Sequence, residues 1–239
     1  MNENCLIIGA SGEIGMAIAN RLASEGNKLV LHYNKNYKTI ETLLSQLPEE
    51  SVLDVIYGDF KTSSGINKFI ESMKIPVANV VFSSGKSHYG LLQDTTEDVM
   101  DEMMHIHVKA PWMISKQLIP NMIQQKQGNI IVISSIWGDV GASCEVVYSS
   151  VKGAQNSFIK SLAKELGRSN ISVNGISPGF IDTKMNNEFS EEEKKIIIEQ
   201  IPLNRAGHPK DVAHAVSFLL DNRSNYIQGE IINVSGAWS

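Results

Sequence analysis

Cysteines, clusters of basic residues and long apolar runs are all scarce in this chain of 239 residues. The two cysteines, Cys5 and Cys144, have no metal-site spacing, so we expect no bound metal and a reducing, cytoplasmic location. The net charge of −5 comes without a basic block, which argues against a nucleic-acid partner. No stretch approaches the ~20 apolar residues of a membrane span, and the initial MNENCLIIGA lacks the basic start of a signal peptide. We therefore expect neither a membrane nor a nucleic acid among its partners.

Short apolar runs alternate along the chain with longer stretches of helical periodicity. Seven of these runs are predicted to be strands: 5–9, 28–33, 52–57, 79–84, 129–135, 171–177 and 230–235. Several are apolar at nearly every position, which is typical of a parallel sheet covered on both faces. The alternation predicts an α/β fold over residues 1–239, a single doubly wound Rossmann-type domain whose parallel seven-stranded sheet carries helices on both faces.

One late segment, 183–209, breaks this alternation with the sequence TKMNNEFSEEEKKIIIEQIPLNRAGHP. It is charged, has a helical pattern and lies between two late strands. We predict that it forms a lid over a substrate site. The alternative is a solvated pair of surface helices.

A glycine-rich turn, GASGEIG (9–15), follows the first predicted strand and opens the first helix. Glycines let the backbone turn tightly and approach a pyrophosphate, while the helix N-terminus offers free N–H groups and partial positive charge. In this position the turn predicts a dinucleotide site, with a ligand-free tight turn as the alternative.

The second strand ends LHYNKN (31–36), without the acid that would bind the ribose of NAD. Asn34 and Lys35 suit the 2′-phosphate of NADP, so we expect NADP to be preferred and NAD to be possible.

The strongest chemical pattern is SSIWGDVGASCEVVYSSVKGAQ (134–155). Tyr148 and Lys152 are four residues apart at the start of a helix, so both project from one face. A phenol titrates near ~10, and we expect the ammonium beside it and a nicotinamide's positive charge to lower that pKa. Ser135, at the end of the preceding strand, would hold the substrate oxygen. The pattern predicts proton transfer to or from a substrate oxygen, whereas a chance pairing on an exposed helix face is the alternative.

Together these motifs resemble the short-chain dehydrogenase/reductase family along the whole chain. The resemblance implies that Ser135 polarises a carbonyl, that Tyr148 protonates it, and that Lys152 holds the cofactor ribose and tunes Tyr148. It implies cofactor contacts from Gly9, Ser11, Gly12, Ile14, Gly15, Asn34, Lys35, Asp59, Phe60, Ser84, Gly85, Tyr148, Lys152, Pro178, Gly179, Ile181 and Thr183.

The chain departs from the family pattern in two cofactor motifs. The usual glycine turn has a glycine where Glu13 stands, and we expect the Glu13 side chain to point away from the phosphates. After the fourth strand, Ser83 replaces the asparagine of the family, while Gly85 is kept.

The stretch HIHVKAP (105–111) matches a family segment in which an asparagine stands before x-lysine-alanine-proline or a similar sequence. His107 takes the place of that asparagine, which in the family holds a water that links the active-site lysine to solvent. Because imidazole can bind a water and carry a proton near neutral pH, the resemblance implies that His107 is a catalytic proton relay to Lys152. Simple packing is the alternative, and we assign no role to His105.

Two groups of the family share this pattern. The 3-oxoacyl-[acyl-carrier-protein] reductases act on a very acidic carrier and use basic residues near the cleft. The second group reduces a 5-aminopentanone carried on elongation factor P. Between Ser135 and Tyr148 this chain has Asp139 and Glu145 but no base, which favours a neutral or cationic ketone, unless the two acids are simply solvated.

A third possibility is a dinucleotide-binding sensor, since some members of the family have lost catalysis. The presence of Ser135, Tyr148 and Lys152 argues against it. The family also forms dimers or tetramers through its two long helices, so the resemblance implies a homodimer or homotetramer.

Overall fold

The computed structural model describes residues 3–186 and 189–238, and its centre is a seven-stranded parallel sheet. The strand order is β3-β2-β1-β4-β5-β6-β7. The strands are β1 (Asn4–Ile8), β2 (Lys28–Tyr33), β3 (Val52–Tyr57), β4 (Asn79–Phe82), β5 (Gly128–Ile133), β6 (Ile171–Pro178) and β7 (Ile231–Val234). All seven predicted strands are confirmed, with small shifts at their ends.

Helices cover both faces of this sheet, as predicted. They are α1 (Glu13–Ser24), α2 (Tyr37–Gln46), α3 (Ser63–Ser72), α4 (Glu97–Met104), α5 (Ala110–Gln125), α6 (Trp137–Val140), α7 (Val146–Leu166), α8 (Glu191–Gln200) and α9 (Pro209–Leu220). Successive strand residues point to opposite faces, so in β1 the side chain of Ile7 joins the core under α1 and α9, whereas Ile8 joins the core under α3, α5 and α7. Two covered faces explain why the strands are apolar at almost every position.

The long helical stretch from α4 to α5 contains one π-helical turn, His105–Lys109. The Ala110 N–H donates to the carbonyl of His105, five residues earlier. Such insertions are rare and concentrate at functional sites. This π turn lies beside the loop after β4, and His107 of the turn is buried against that loop.

The predicted lid segment, 183–209, starts with a short 3₁₀ turn and continues into α8. Asn187 and Glu188 lie outside the described residues. Ser190 caps α8, and its side chain accepts from the Glu193 N–H while the Glu193 carboxylate accepts from the Ser190 N–H. The ring of Phe189 lies 6.3 Å from that of Phe180 and 6.2 Å from that of Tyr89, centre to centre. The segment therefore contacts the loops after β4 and β6.

Within residues 3–186 and 189–238, no helix has the length and apolar character to cross a membrane. The same residues contain no group of three or more His, Cys, Asp or Glu side chains placed to hold a metal ion.

Candidate active site

The glycine turn after β1 has the shape of a phosphate cradle. Gly9 has a φ of +87°, and a Cβ added to it would lie 2.6 Å from the backbone nitrogen of Ser84. A Cβ on Gly15 would overlap the carbonyl oxygen of Gly9. Both positions therefore require glycine, and the turn brings an approaching anion to the N-terminus of α1. Gly12, Ser11 and Ile14 complete the turn. It lies where the strand order reverses between β1 and β4, the usual position of a dinucleotide crevice.

Glu13 joins this turn to the lid segment. Its carboxylate accepts a hydrogen bond from the backbone N–H of Lys184, which follows β6. The extra acid is thus paired with an N–H group from the other side of the crevice.

A buried histidine that sequence reasoning missed supports the cradle from below. His32 on β2 accepts from the Gly9 N–H through Nδ1 at 3.0 Å, and its Nε2–H donates to the Gly58 carbonyl at 3.1 Å. Its ring stacks on Phe60 at 4.4 Å between centres. Burial lowers the pKa of His32 to about 4, so the ring is neutral and can serve both bonds. The signal for it was a single imidazole within the apolar run KLVLHY.

The predicted adenosine-binding positions follow β2 and β3. Asn34 is half-buried and Lys35 is exposed at the end of β2. The Asp59 carboxylate accepts from the Lys61 N–H at 3.1 Å. The ring of Phe60 is buried against His32, so it forms the floor under this part of the crevice.

Ser84 and Gly85 follow β4 and close the other wall of the crevice. Ser83, which replaces the family's asparagine, donates through its hydroxyl to the Ile8 carbonyl at 2.8 Å and so ties β4 to β1. A Cβ on Gly85 would lie 3.0 Å from the ring of His107. The glycine therefore allows the histidine to pack directly against this loop.

The three residues with predicted chemical roles come together at the same edge of the sheet. Ser135 follows β5, and its hydroxyl accepts from the Trp137 N–H at 3.3 Å and lies near the phenol of Tyr148 on α7, whose pKa it lowers. Lys152 is buried one turn further along α7, with Nζ 5.5 Å from the centre of the Tyr148 ring. The ammonium donates to the Ile133 carbonyl at 3.0 Å and to Oε1 of Gln155 at 3.1 Å.

The lowering of the Tyr148 pKa that we expect beside Lys152 and a bound nicotinamide stays a prediction, and in the chain by itself the shift has the opposite direction. Burial raises the pKa of Tyr148 to about 12, and the hydrogen bond from Ser135 only partly offsets this. The ammonium of Lys152 faces Ile133 and Gln155, and burial lowers its own pKa to about 7. Tyr148 is therefore protonated at neutral pH, the state that a proton donor requires.

His107 is completely buried beside this group, in the π turn. Its Nε2 lies 2.9 Å from the Lys86 carbonyl oxygen, to which it donates when it carries the proton, and 3.2 Å from the Lys86 nitrogen, whose N–H it accepts when it does not. Its ring stands at 89° to that of Tyr148, 5.8 Å away. Nδ1 has no partner within the part of the chain that the structure describes. Burial and the charge of Lys152 lower the pKa of His107 to about 3, so the imidazole is neutral, and Nδ1 is an acceptor in the tautomer that donates from Nε2 to the Lys86 carbonyl. His105 turns elsewhere and contacts Ser63.

The predicted nicotinamide wall lies at the end of β6. Pro178 ends the strand, and a Cβ on Gly179 would lie 3.0 Å from Ser235. Ile181 is buried, and the Thr183 hydroxyl donates to its carbonyl at 3.4 Å. This wall faces the same edge as the glycine turn, because all strands of the sheet are parallel.

The two acids between Ser135 and Tyr148 are separated in space. Asp139 lines a cavity of about 490 Å³ with Lys160, three turns of α7 beyond Tyr148. Glu145 lies near Tyr148, where burial raises its pKa while a hydrogen bond from the Trp137 side chain partly offsets the rise. Glu145 is thus the one of the two acids that borders the chemical group.

Comparisons with known proteins identify the family of the chain. A family model described as Enoyl-(Acyl carrier protein) reductase matches residues 9–239. The chain belongs to the short-chain dehydrogenase/reductase family of oxidoreductases.

Individual relatives match almost end to end. "Uncharacterized oxidoreductase YmfI" of Bacillus subtilis is 43% identical over 240 residues, with 100% of this chain and 99% of the relative covered. The 3-oxoacyl-[acyl-carrier-protein] reductase FabG of Rickettsia typhi is 32% identical, with 98% and 95% covered. Among solved structures, a blue fluorescent protein from a metagenomic library, in complex with NADPH, is 25% identical with a TM-score of 0.89 and covers 100% of both chains.

Proposed function

We propose that this protein uses NADPH to reduce a ketone to an alcohol, in the manner of a 3-oxoacyl-[acyl-carrier-protein] reductase. The observation that carries the proposal is the convergence of Ser135, Tyr148 and Lys152 beside the glycine turn, at one edge of the sheet. Relatives named as 3-oxoacyl-[acyl-carrier-protein] reductases, 32% identical over nearly the whole chain, support the same reaction class.

In the proposed mechanism the substrate carbonyl enters between Ser135 and Tyr148. The Ser135 hydroxyl donates to the carbonyl oxygen and polarises it, and Tyr148 transfers its proton to that oxygen as negative charge develops. Lys152 holds a ribose hydroxyl and stabilises the phenolate that is left on Tyr148. The nicotinamide, when bound, supplies the hydride. His107 would hold a water at Nδ1 through which protons are resupplied.

NADPH is the proposed cofactor in preference to NADH. Asn34 and Lys35 stand at the end of β2, and no acid is present there to bind an unphosphorylated ribose. The NADPH complex of a relative that is 25% identical is consistent with this choice.

A protein-attached ketone that carries an amine, such as the 5-aminopentanone group on elongation factor P, is the second candidate substrate. Hydrogen bonding to Cys144 and the charges of Glu193 and Glu145 raise the pKa of Tyr89 at the mouth of the cleft. Glu193 belongs to the proposed lid, so we expect carboxylates on two sides of the substrate entrance. Such an entrance favours a cationic substrate over an acidic carrier.

Paired NADPH-consumption assays decide between the two substrates. One assay uses a 3-oxoacyl group on acyl-carrier protein, and the other uses elongation factor P that carries the amino-ketone. The Glu145→Gln variant is the matched control, because it removes one negative charge and keeps the side-chain shape. If Glu145→Gln slows the reaction of the amino-ketone but not that of the 3-oxoacyl group, the cationic substrate is identified. If the wild-type protein consumes NADPH with neither substrate, the proposed function is contradicted.

We also propose that the chain forms a homodimer or homotetramer through the long helices that carry His107 and Tyr148. Met104, Trp112 and Val146 are exposed apolar side chains on α4, α5 and α7. Light scattering at several concentrations measures the assembly, and a monomer at every concentration contradicts it.

A further inference from the structure

Gln155 is a buried polar side chain whose two amide atoms reach two different parts of the active site. It lies on α7, three residues after Lys152, and only 3% of it is exposed. Its Oε1 accepts from Lys152 Nζ at 3.1 Å, while its Nε2–H donates to the backbone carbonyl of His107 at 2.7 Å. The amide thus bridges the ammonium and the π turn.

The carbonyl of His107 is free to accept this bond because of the local sequence. In an α-helix it would accept from the N–H four residues later, but that residue is Pro111, which has no N–H. The sequence therefore leaves an acceptor inside the protein, and Gln155 satisfies it. Because each buried polar atom of the bridge is paired, the bridge holds both ends in place.

The bridge also determines how the donors of Lys152 are used. An ammonium has three N–H donors. Within the described residues two of them are directed to the Ile133 carbonyl and to Gln155, so one is left for a ligand hydroxyl.

We propose that Gln155 is a positioning residue that favours the charged form of Lys152 and ties its ammonium to the π turn of His107. This inference rests on the proposed function, because it assumes a role for Lys152 in the reaction. The titratable groups that face Lys152 are His107 from the π turn and Tyr148 from α7, with Glu145 beyond Tyr148. The Lys152 ammonium donates to the Ile133 carbonyl of β5, and Gly138 of α6 packs against the Lys152 backbone. No carboxylate of the described residues pairs with its ammonium, so the Gln155 oxygen is the side chain that favours the charged form.

The test is an NMR titration of protein without cofactor, labelled with ¹³C and ¹⁵N at lysine. The Lys152 signal is assigned by its loss in Lys152→Met. In Gln155→Met, which keeps an unbranched side chain, Lys152 is expected to titrate about one pH unit lower than in wild type. In Gln155→Glu it is expected to titrate higher, because a carboxylate then faces the ammonium. Asn156→Leu removes a neighbouring buried amide that bonds to Ser134, and it should leave the Lys152 titration unchanged.

Opposite shifts in Gln155→Met and Gln155→Glu support the proposal, because general damage to the fold would not reverse its sign. Unchanged titration in both variants, or shifts in the same direction, overturns it. If Gln155→Met does not fold, Gln155→Glu decides alone: an upward shift of the Lys152 titration supports the proposal, and an absent shift overturns it. The Lys152 titration is measured without turnover, so it can be read even if the protein does not catalyse the proposed reaction. A failure of the positioning role is therefore distinguishable from a failure of the proposed function.

Discussion

His32 and His107 are both buried at the carboxyl edge of the sheet, yet their hydrogen bonding differs. Both ring nitrogens of His32 are bonded, to the Gly9 N–H and to the Gly58 carbonyl. His107 bonds through Nε2 alone, and its Nδ1 has no partner among the described residues. Buried polar atoms are normally satisfied, and an exception points to a water or a ligand. The cofactor side, with His32 under the glycine turn, therefore has both ring nitrogens of its histidine bonded. The chemical side, with His107 beside Tyr148 and Lys152, has a buried ring nitrogen that can bond to another group.

Burial has different consequences on the two sides. It lowers the pKa of His32 to about 4 and so maintains one neutral ring that only supports the backbone. On the other side it raises the pKa of Tyr148 to about 12 and lowers that of Lys152 to about 7. Displaced pKa values that cluster in a crevice are typical of catalytic groups. The comparison predicts that substitutions on the chemical side reduce kcat, whereas those on the cofactor side change binding.

The largest effect is expected for Tyr148→Phe. The variant should lose roughly 10²–10⁴ in kcat, because the phenol supplies the proton, while the ring still packs. NADPH binding, measured by fluorescence titration, should stay near wild type. A variant that retains more than about a tenth of kcat contradicts the assignment of Tyr148 as the acid.

Lys35→Asp tests the cofactor side. Loss of a charge-assisted bond to the 2′-phosphate is worth ~1.5–3 kcal/mol, so kcat/KM for NADPH should fall roughly 10- to 100-fold. The new acid can bind the ribose of NAD, so the preference should be erased or reversed. Steady-state kinetics with both cofactors measure this ratio. Equal kcat/KM values for both cofactors in wild type would count against the predicted preference.

His107→Leu and His107→Asn test the free acceptor on the chemical side. The leucine variant should lose about tenfold or more in kcat, ~1.4 kcal/mol, without unfolding, because it cannot hold a water. The asparagine variant should stay active, since an amide oxygen can accept the same bond. If His107→Leu turns over as fast as wild type across pH 6–8, the histidine only packs.

His32→Leu should give the smallest change in the reaction. It leaves the Gly9 N–H and the Gly58 carbonyl unpaired, at a cost of ~1–3 kcal/mol for each group in the free energy of unfolding. We expect the KM for NADPH to rise while kcat stays near wild type. His105→Leu is the matched control and should change neither constant. A fall in kcat at saturating NADPH in His32→Leu would show that the two sides are not separable in this way.

The parts of the account that follow from local sequence could be predicted. The seven strands follow from short apolar runs, and the shared face of Tyr148 and Lys152 follows from their spacing in a helix. The position of the glycine turn followed from its place between a strand and a helix.

Other parts depend on residues that are distant in sequence. His32 meets Gly9 and Gly58 across 23 and 26 residues, and Gln155 meets His107 across 48. These contacts depend on the register of the sheet and on the packing of α7, and the periodicity of apolar residues in the sequence predicts neither. The rise in the Tyr148 pKa of the chain by itself could not be predicted for the same reason, since spacing identifies a charged neighbour but not the depth of burial.

The most direct test of the central claim follows the hydride itself. NADPH deuterated at the transferred position of the nicotinamide is incubated with the protein and a generic diketone, and the alcohol is analysed by mass spectrometry. The account predicts deuterium on the new carbinol carbon with wild-type protein and a rate at least about a hundredfold lower with Tyr148→Phe. A folded wild-type protein that binds NADPH but transfers no deuterium would contradict the account and identify a dinucleotide-binding sensor.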